Sequence, residues 1–128
     1  MKPEQALWAL VKPYFPGHVM RVENAAGVGA PDVHFCYDGT SVWVELKVDQ
    51  LNKGLTVLEQ LRPEQKVWHY KHVIHLGKVY VLVRAGAKLT LYKATWPSAN
   101  SIACNYVVVW TGTKPWQWEV FEAIMRSL

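Results

Sequence analysis

Apolar and polar residues alternate with a period of two in the second quarter of the chain. The alternation runs from Val33 to Tyr37, stops at Asp38-Gly39, and apolar residues resume over 42–44. A period of two is typical of a half-buried strand, and an Asp-Gly pair between two such runs favours a tight turn. The pattern therefore predicts a β-hairpin over residues 31–47.

The rest of the pattern predicts helices and strands in an order typical of a layered fold. The predicted elements are a helix over 3–12, a strand over 18–23, a loop over 24–30, a helix over 63–75, strands over 78–84 and 88–93, a strand over 106–110 and a helix over 115–126. Val67, Tyr70 or Lys71, and Ile74 recur at helical spacing in the second helix, and we expect Trp116, Val120 and Ile124 on one stripe of the last. The predicted fold class is α/β or α+β, with a mixed central β-sheet flanked by helices.

Length and composition indicate a single domain over residues 1–128. A chain of 128 residues, of which 51% are hydrophobic, can bury a substantial core. Residues 45–93 carry nine Lys or Arg against four Asp or Glu, whereas residues 1–44 carry three against four and residues 94–128 two against two. This positive excess in the middle of the chain is compatible with a polyanionic partner.

The sequence suggests a reducing compartment. Cys36 and Cys104 form no CxxC motif, so we expect two free thiols. The apolar run over 6–11 is too short for a secretory signal, and no stretch reaches membrane-spanning length. We therefore expect a cytoplasmic protein with no membrane partner.

Three charged residues lie at the open end of the predicted hairpin. Asp32 precedes the first strand while Glu45 and Lys47 end the second, so antiparallel pairing brings them together. The side-chain period of two places Glu45 and Lys47 on one face. Placing two carboxylates and an ammonium beside apolar strands costs desolvation free energy unless the charges are paired or serve in binding or catalysis. This end of the hairpin is therefore the candidate site.

The charged end of the hairpin has the donors for a hard divalent cation. Asp32 and Glu45 offer carboxylate oxygens of the kind that Mg²⁺ or Mn²⁺ prefers, and the Leu46 carbonyl is a further candidate ligand. Lys47 would reach the same pocket, where it could orient or help deprotonate the attacking water or stabilise the transition state. The combination predicts hydrolysis of a phosphodiester. No GxSxG motif or glycine-rich phosphate loop in the sequence competes with this interpretation.

Pro31-Asp32, a gap, and Glu45-Leu46-Lys47 resemble the PD-(D/E)XK signature of restriction-like nucleases. A helix bearing Glu4, a strand ending in Arg21, and the opening of the second helix at Leu61–Gln65 extend the resemblance over residues 4–84. With these features the chain resembles the Holliday-junction resolvase branch and the virus-type replication-repair (VRR-NUC) nucleases encoded by phages and prokaryotes.

The resemblance implies a restriction-endonuclease-like core over about 4–93 and a strand–helix extension over about 94–128. It also implies a Mg²⁺ cofactor, for which Mn²⁺ may substitute, and a DNA substrate. The catalytic set carried over is Asp32, Glu45, Lys47, Glu4 and Gln65, and the metal-binding set is Asp32, Glu45, Leu46 and Glu4. Glu23 competes with Glu4 for the place of the third acid.

Contacts with DNA phosphates need positive charge but little geometry. The candidates are Arg21, Lys53, Arg62, Lys66, Lys71 and Lys78. Arg21 could instead pair with Glu23. His69, His72 and His75 recur at a spacing that drifts around a helix, which is a poor zinc pattern, so we expect an exposed face near DNA.

Each of these assignments has a structural alternative. Asp32 could cap a turn, and Glu45 with Lys47 could form an ion pair at the strand end. Glu4 could merely complement the helix dipole, and Gln65 could be an ordinary solvated helix residue.

The leading hypothesis from the sequence is a Mg²⁺-dependent endodeoxyribonuclease that is structure-selective and similar to a Holliday-junction resolvase. It is expected to act as a homodimer on a four-way or otherwise branched DNA, because symmetric cutting of two strands needs two sites related by a two-fold axis. The alternatives are a single-strand or nicking nuclease of phage DNA replication or repair, a non-cleaving DNA-binding module on the nuclease fold, and a metal-binding or interaction protein without a nucleic-acid partner.

Overall fold

The computed structural model describes residues 2–22 and 28–128. The helices are α1 (Pro3–Val11), α2 (Val57–Gln60), α3 (Pro63–Val73) and α4 (Trp118–Ser127), and a 3₁₀ turn, Lys12–Tyr14, follows α1. The strands are β1 (His18–Arg21), β2 (Val33–Tyr37), β3 (Thr40–Val48), β4 (Val79–Ala85), β5 (Lys88–Thr95) and β6 (Asn105–Thr113). The predicted helices and strands are present near their predicted bounds, α2 was not predicted, and residues 24–27 of the predicted loop lie outside the described residues.

The six strands form one mixed sheet in chain order, from β1 to β6. Neighbouring strands are antiparallel except β3 and β4, which are parallel because α2 and α3 return the chain between them. At the β2–β3 turn, Asp38 and Gly39 have φ angles of 51° and 78°, as a two-residue hairpin of the favoured twist requires. The protein is therefore an α+β structure in which four helices accompany a six-stranded mixed sheet.

No helix within residues 2–22 and 28–128 has both the length and the apolar character needed to cross a bilayer.

One face of the sheet carries the main apolar core. Leu46, Leu82 and Leu91 from the central strands pack there with Leu7 of α1 and Phe121 of α4. Because Phe121 belongs to the same cluster as Leu7, the last strand and helix of the chain complete the central core.

The stripe predicted for the last helix is confirmed in part, since Trp116 and Ile124 pack against the main core. Val120, predicted to be buried, is 43% exposed, whereas Phe121 and Met125 are buried. The Phe121 ring packs edge-on against Trp110 and Trp118, so the larger aromatic side chain occupies the inward position.

The opposite face of the sheet carries Glu45 and Lys47 of β3 and is covered by α2 and α3. Helix α3 buries Gln65 and His69, whereas Val67, predicted to be buried, is 51% exposed. The prediction is wrong at Val67, whereas Tyr70 packs with Trp68 and Val73 against a smaller apolar cluster. The inward side of α3 is therefore mixed, and its polar part lies where Gln65 meets Glu45 of β3.

Candidate active site

The β2–β3 pairing brings the three predicted site residues together. Val33 of β2 lies opposite Val44 of β3, so Asp32, one residue earlier, reaches the level of Glu45. The Asp32 Oδ2 atom accepts a hydrogen bond of 2.8 Å from the Leu46 N–H. The carboxylate is thus fixed at the point where β2 ends and β3 continues along β4.

The carbonyl of Leu46 faces the same side of β3 as Asp32. The backbone N–H groups of Trp43 and Asp49 donate to the carbonyls of Lys78 and Arg84, which lie on or next to β4. The backbone N–H and C=O groups of the odd-numbered residues of β3 therefore point toward β4. The N–H and C=O of one strand residue point to the same side, and the Leu46 N–H points to Asp32. The Leu46 carbonyl is therefore directed toward the Asp32 carboxylate.

Glu45 is an almost fully buried carboxylate, with 2% of its surface exposed. Its Oε2 atom accepts a hydrogen bond of 3.1 Å from Gln65 Nε2 and lies 3.9 Å from the Lys47 Nζ atom. Its Oε1 atom is buried and has no hydrogen-bond partner among the described residues. An unpartnered oxygen of this kind is costly in a folded protein and calls for a ligand or an ordered water.

Burial raises the pKa of Glu45 well above its ordinary value, and the neighbouring Asp32 raises it further by its charge and by sharing a hydrogen bond. The positive charges of Lys47 and Arg62 oppose this rise without cancelling it. Two carboxyl groups in one buried site favour a bound positive charge, either a proton or a cation.

Gln65 is held in place from both ends of its amide. Its Oε1 atom accepts a hydrogen bond of 2.9 Å from the Arg62 N–H, while its Nε2–H donates to Glu45. Gly29, with a φ of 86°, presses against the first turn of α3, and a Cβ atom there would lie 2.2 Å from the Glu64 carbonyl oxygen. The amide of Gln65 is therefore oriented by the Arg62 backbone and the Glu45 carboxylate rather than by solvent.

The site opens into a cavity of about 310 Å³ with charged walls. The cationic residues in its walls are Lys2, Arg21, Lys47 and Arg62, and the acidic ones are Glu4, Asp32 and Glu45. This excess of cations over acids suits an anionic ligand, because charge in a cleft raises the local concentration of oppositely charged groups.

The donors at the site fit a small divalent cation. The neighbouring carboxyl groups of Asp32 and Glu45, the unpartnered Glu45 Oε1 and the Leu46 carbonyl are oxygen donors of the kind that Mg²⁺ takes in small number while it keeps several waters. Among the residues that the structure describes, no group of three His, Cys, Asp or Glu side chains has metal-binding geometry. Glu4 lines the cavity without forming such a group with Asp32 and Glu45, and its metal-binding role stays a prediction.

The residues predicted to contact DNA divide into two groups. Arg21 and Arg62 line the cavity, and Arg21 lies 3.8 Å from Asp32. Lys53, Lys66 and Lys71 do not line the cavity, and Lys78 instead donates a hydrogen bond to the Leu128 carbonyl on another part of the surface. Glu23, the competing acid and the alternative partner of Arg21, lies outside the described residues.

Sequence reasoning missed the place of three residues near the site: Lys2, His69 and Tyr106. Lys2 lines the cavity. His69 is fully buried on the inner side of α3, and its Nδ1 atom lies 2.8 Å from the Tyr106 hydroxyl oxygen. The expectation of an exposed histidine face is therefore wrong at His69, although His75 is exposed. The i, i+4 spacing of Gln65 and His69 was the available signal, since it places both side chains on one helix face.

Comparison with known proteins gives no match for this chain among family models, curated proteins or solved structures.

Proposed function

We propose that this chain is a divalent-metal-dependent nuclease of the restriction-like class that hydrolyses DNA phosphodiester bonds. The observation that carries the proposal is the buried Glu45 carboxylate, which has an unpartnered Oε1 beside Asp32 and a lysine 3.9 Å from its other oxygen. Burying the Glu45 carboxylate next to the partly exposed Asp32, with one ammonium beside it, is unfavourable for stability alone, so a catalytic use explains it better than a structural one.

The arrangement of elements supports a restriction-endonuclease-like core. A helix (α1), a hairpin (β2–β3), a crossover helix (α3) and a parallel strand (β4) follow in order, with the acids at the hairpin end. The crossover lays α3 against the face that bears Glu45 and Lys47. The resemblance read from the sequence is compatible with this order.

In the proposed mechanism, Asp32, Glu45 and the Leu46 carbonyl would hold Mg²⁺ or Mn²⁺. When bound, the cation polarises a phosphoryl oxygen and lowers the pKa of water. Gln65 fixes the Glu45 carboxylate, so little reorganisation is needed during the reaction. Lys47 places its ammonium beside the reacting phosphate, where it orients the attacking water and stabilises the developing negative charge.

Positive residues of the cavity wall supply the affinity for DNA in this proposal. Arg21 and Arg62 lie on the wall that a phosphate backbone would follow, and Lys2 adds a third positive charge. Contacts of this kind position a duplex without reading its sequence. The proposed substrate is therefore DNA recognised by its shape, with a branched or four-way junction as the leading candidate.

The function is tested by incubating the protein with labelled four-way junction, linear duplex and single strand, each with Mg²⁺ or EDTA. We expect Mg²⁺-dependent cutting that is lost in Lys47→Ala and Glu45→Ala and retained in Lys88→Ala, a control at an exposed position of β5 outside the cavity. Paired cuts confined to the junction favour a resolvase. Cutting confined to single strands or single nicks favours the alternative phage nuclease, and binding without cutting would leave a DNA-binding module instead of an enzyme.

We further propose that the protein acts as a homodimer paired through β6. In the described part of the chain, β6 has a neighbouring strand on one side, and its nine residues, Asn105–Thr113, include no charged residue. Val107, Val108 and Val109 are 50%, 53% and 42% exposed. Natural edge strands are commonly protected by charges, so an uncharged apolar edge suits antiparallel pairing with a second copy.

Sedimentation tests the dimer independently of cleavage. The wild-type chain should sediment as a dimer at micromolar concentration, and Val108→Lys should shift it toward monomer by placing a charge on the edge strand. Lys93→Glu, on the exposed side of the neighbouring strand, is the control and should remain dimeric. A wild-type monomer, both free and on DNA, would rule out symmetric cutting by a dimer.

A further inference from the structure

A buried polar pair beside the site has no part in the mechanism above. His69 of α3 is fully buried, and its Nδ1 atom lies 2.8 Å from the hydroxyl oxygen of Tyr106 on β6. Its other ring nitrogen, Nε2, is also buried and has no hydrogen-bond partner among the described residues. Unpartnered buried polar atoms are rare in folded proteins, so both this nitrogen and Glu45 Oε1 need an explanation.

The geometry of the ring determines where Nε2 points. The two nitrogens of an imidazole lie on different sides of the ring, and Nδ1 is directed toward Tyr106 on β6. The sheet order runs from β3 through β4 and β5 to β6, and α3 packs over β4 and β5. Because Nδ1 is engaged with Tyr106 on the β6 side, Nε2 is the ring nitrogen left to serve the β3 side of this interface, where Glu45 lies.

Helix periodicity brings the same two groups together. Gln65 and His69 are four residues apart on α3, so they lie on one helix face about one turn apart. Gln65 donates to Glu45 Oε2, which leaves Oε1 as the carboxylate oxygen without a partner. Burial raises the pKa of Tyr106, and the charges of Cys104 and Glu45 add to the rise, so Glu45 and Tyr106 interact on this side of the sheet.

We infer that Tyr106 and His69 form a hydrogen-bonded pair that directs the His69 Nε2–H toward Glu45 Oε1, which makes His69 a positioning residue for the carboxylate. The Tyr106 hydroxyl donates to Nδ1, so the ring carries its proton on Nε2. No direct hydrogen bond joins the two unpartnered atoms, and one ordered water between them would give each of them a partner. Gln65 and His69 would then restrain the two oxygens of Glu45 separately.

The neutral state of the ring agrees with this role. Burial lowers the pKa of His69 to about 4, and the charges of Lys47 and His72 act in the same direction. A neutral imidazole carries one N–H, and the Tyr106 hydroxyl selects which nitrogen bears it. Outer hydrogen-bond partners of this kind fix the orientation of ligating groups in metal sites.

Two substitutions at one position separate this role from simple packing, and this part of the inference rests on the proposed nuclease function. His69→Gln places an amide N–H near the Nε2 position and should keep kcat within about threefold of wild type. His69→Asn keeps a polar group near Tyr106 but is too short to reach Glu45, and it should lower kcat by about 10–100-fold. KM for DNA should be unchanged in both variants, and His75→Gln serves as the exposed control. Equal losses of kcat in the Gln and Asn variants would overturn the inference.

A second measurement does not depend on cleavage. Nitrogen-15 NMR of the metal-free protein at pH 7 should show the His69 proton on Nε2, and Glu45→Gln should shift that resonance. Tyr106→Phe removes the hydroxyl and should let the ring populate both neutral tautomers. A proton on Nδ1 in the wild type would overturn the inference. If no DNA is cut under any condition, the proposed function fails, while the NMR result still decides whether this pair exists.

Discussion

At the scale of single residues, the site depends on how Glu45 is restrained. Its carboxylate is nearly inaccessible to water, and Gln65 donates a hydrogen bond to its Oε2 atom. Asp32, Glu45 and Lys47 could be predicted from the sequence because strand alternation and a hairpin turn fix where they meet. The surroundings of Glu45 could not be predicted from the sequence, because Gln65 and His69 lie on a helix whose packing angle is set by tertiary contacts.

Removal of the Gln65 amide should weaken catalysis more than stability. Gln65→Ala deletes the donor to Glu45 Oε2, and we expect a kcat about 10–100-fold lower, since outer partners of metal ligands typically contribute this much. Val67→Ala, on the exposed side of the same helix, should leave kcat unchanged. Single-turnover cleavage measures both variants, and a Gln65→Ala rate equal to that of Val67→Ala would show that the contact has no catalytic role.

His69 should make the protein less stable in mild acid. Burial, together with the charges of Lys47 and His72, lowers the pKa of His69 from 6.5 to about 4, so the unfolded chain takes up a proton that the folded chain excludes. At His69 the unfolded state binds more protons between these values, so the contribution of His69 to the free energy of unfolding should fall as the pH is lowered from 6.5 toward 4, by up to about 3 kcal/mol. The raised pKa of Glu45 acts in the opposite direction, so the effect of His69 is measured by comparison with a variant that lacks it.

Urea unfolding at pH 7.5 and pH 5 measures this loss. His69→Gln should reduce the difference between the two pH values, whereas His75→Gln, at an exposed position, should retain it. An undiminished difference in His69→Gln would mean that other groups govern the acid response.

At the scale of elements, the hairpin was predictable and the faces of the helices were not. The β2–β3 hairpin follows from local alternation and from Asp38-Gly39, which prefer the positive φ angles that the turn adopts. The inward faces of α3 and α4 depend on what each helix covers, and α3 covers polar groups. Periodicity of apolar residues therefore selected the exposed Val67 and Val120 instead of the buried Gln65 and Phe121.

The first turn of α3 should be sensitive to the loop that packs on it. Gly29 and Gly39 both have positive φ angles, but a Cβ at Gly29 would meet the Glu64 carbonyl oxygen at 2.2 Å, whereas a Cβ at Gly39 would meet nothing within 4 Å. Gly39→Ala should cost about 1–2 kcal/mol from backbone strain alone. Gly29→Ala should cost more and should also lower kcat by displacing Gln65. Chemical denaturation and cleavage assays measure both effects, and equal behaviour of the two variants would contradict the proposed coupling.

The buried stripe of α4 can be tested by neighbouring substitutions. Phe121→Ala removes a fully buried ring and should cost about 3–5 kcal/mol in the free energy of unfolding. Val120→Ala, at a position 43% exposed, should change it by less than about 0.5 kcal/mol. Denaturant midpoints measure the stability of both variants. A larger loss of unfolding free energy in Val120→Ala than in Phe121→Ala would support the stripe predicted from periodicity.

At the scale of the whole molecule, the chain beyond residue 93 completes the fold. Strand β6 pairs with β5, and Phe121 of α4 joins the core that contains Leu7 of α1. The same region supplies Tyr106, which contacts His69 beside the site. The resemblance seen in the sequence ends before this region, so neither its share of the core nor Tyr106 could be predicted from the PD-(D/E)XK pattern.

The central proposal is metal-dependent hydrolysis at Asp32, Glu45 and Lys47. Its most direct test is the single-turnover cleavage rate of labelled DNA as Mg²⁺ is titrated against EDTA, with wild type beside Glu45→Gln. The wild-type rate should be undetectable in EDTA and should saturate with Mg²⁺. Glu45→Gln should be slower by more than about 100-fold, because a direct ligand contributes more than the outer partners do. Cleavage that persists in EDTA, or that proceeds at the wild-type rate in Glu45→Gln, would contradict the proposal.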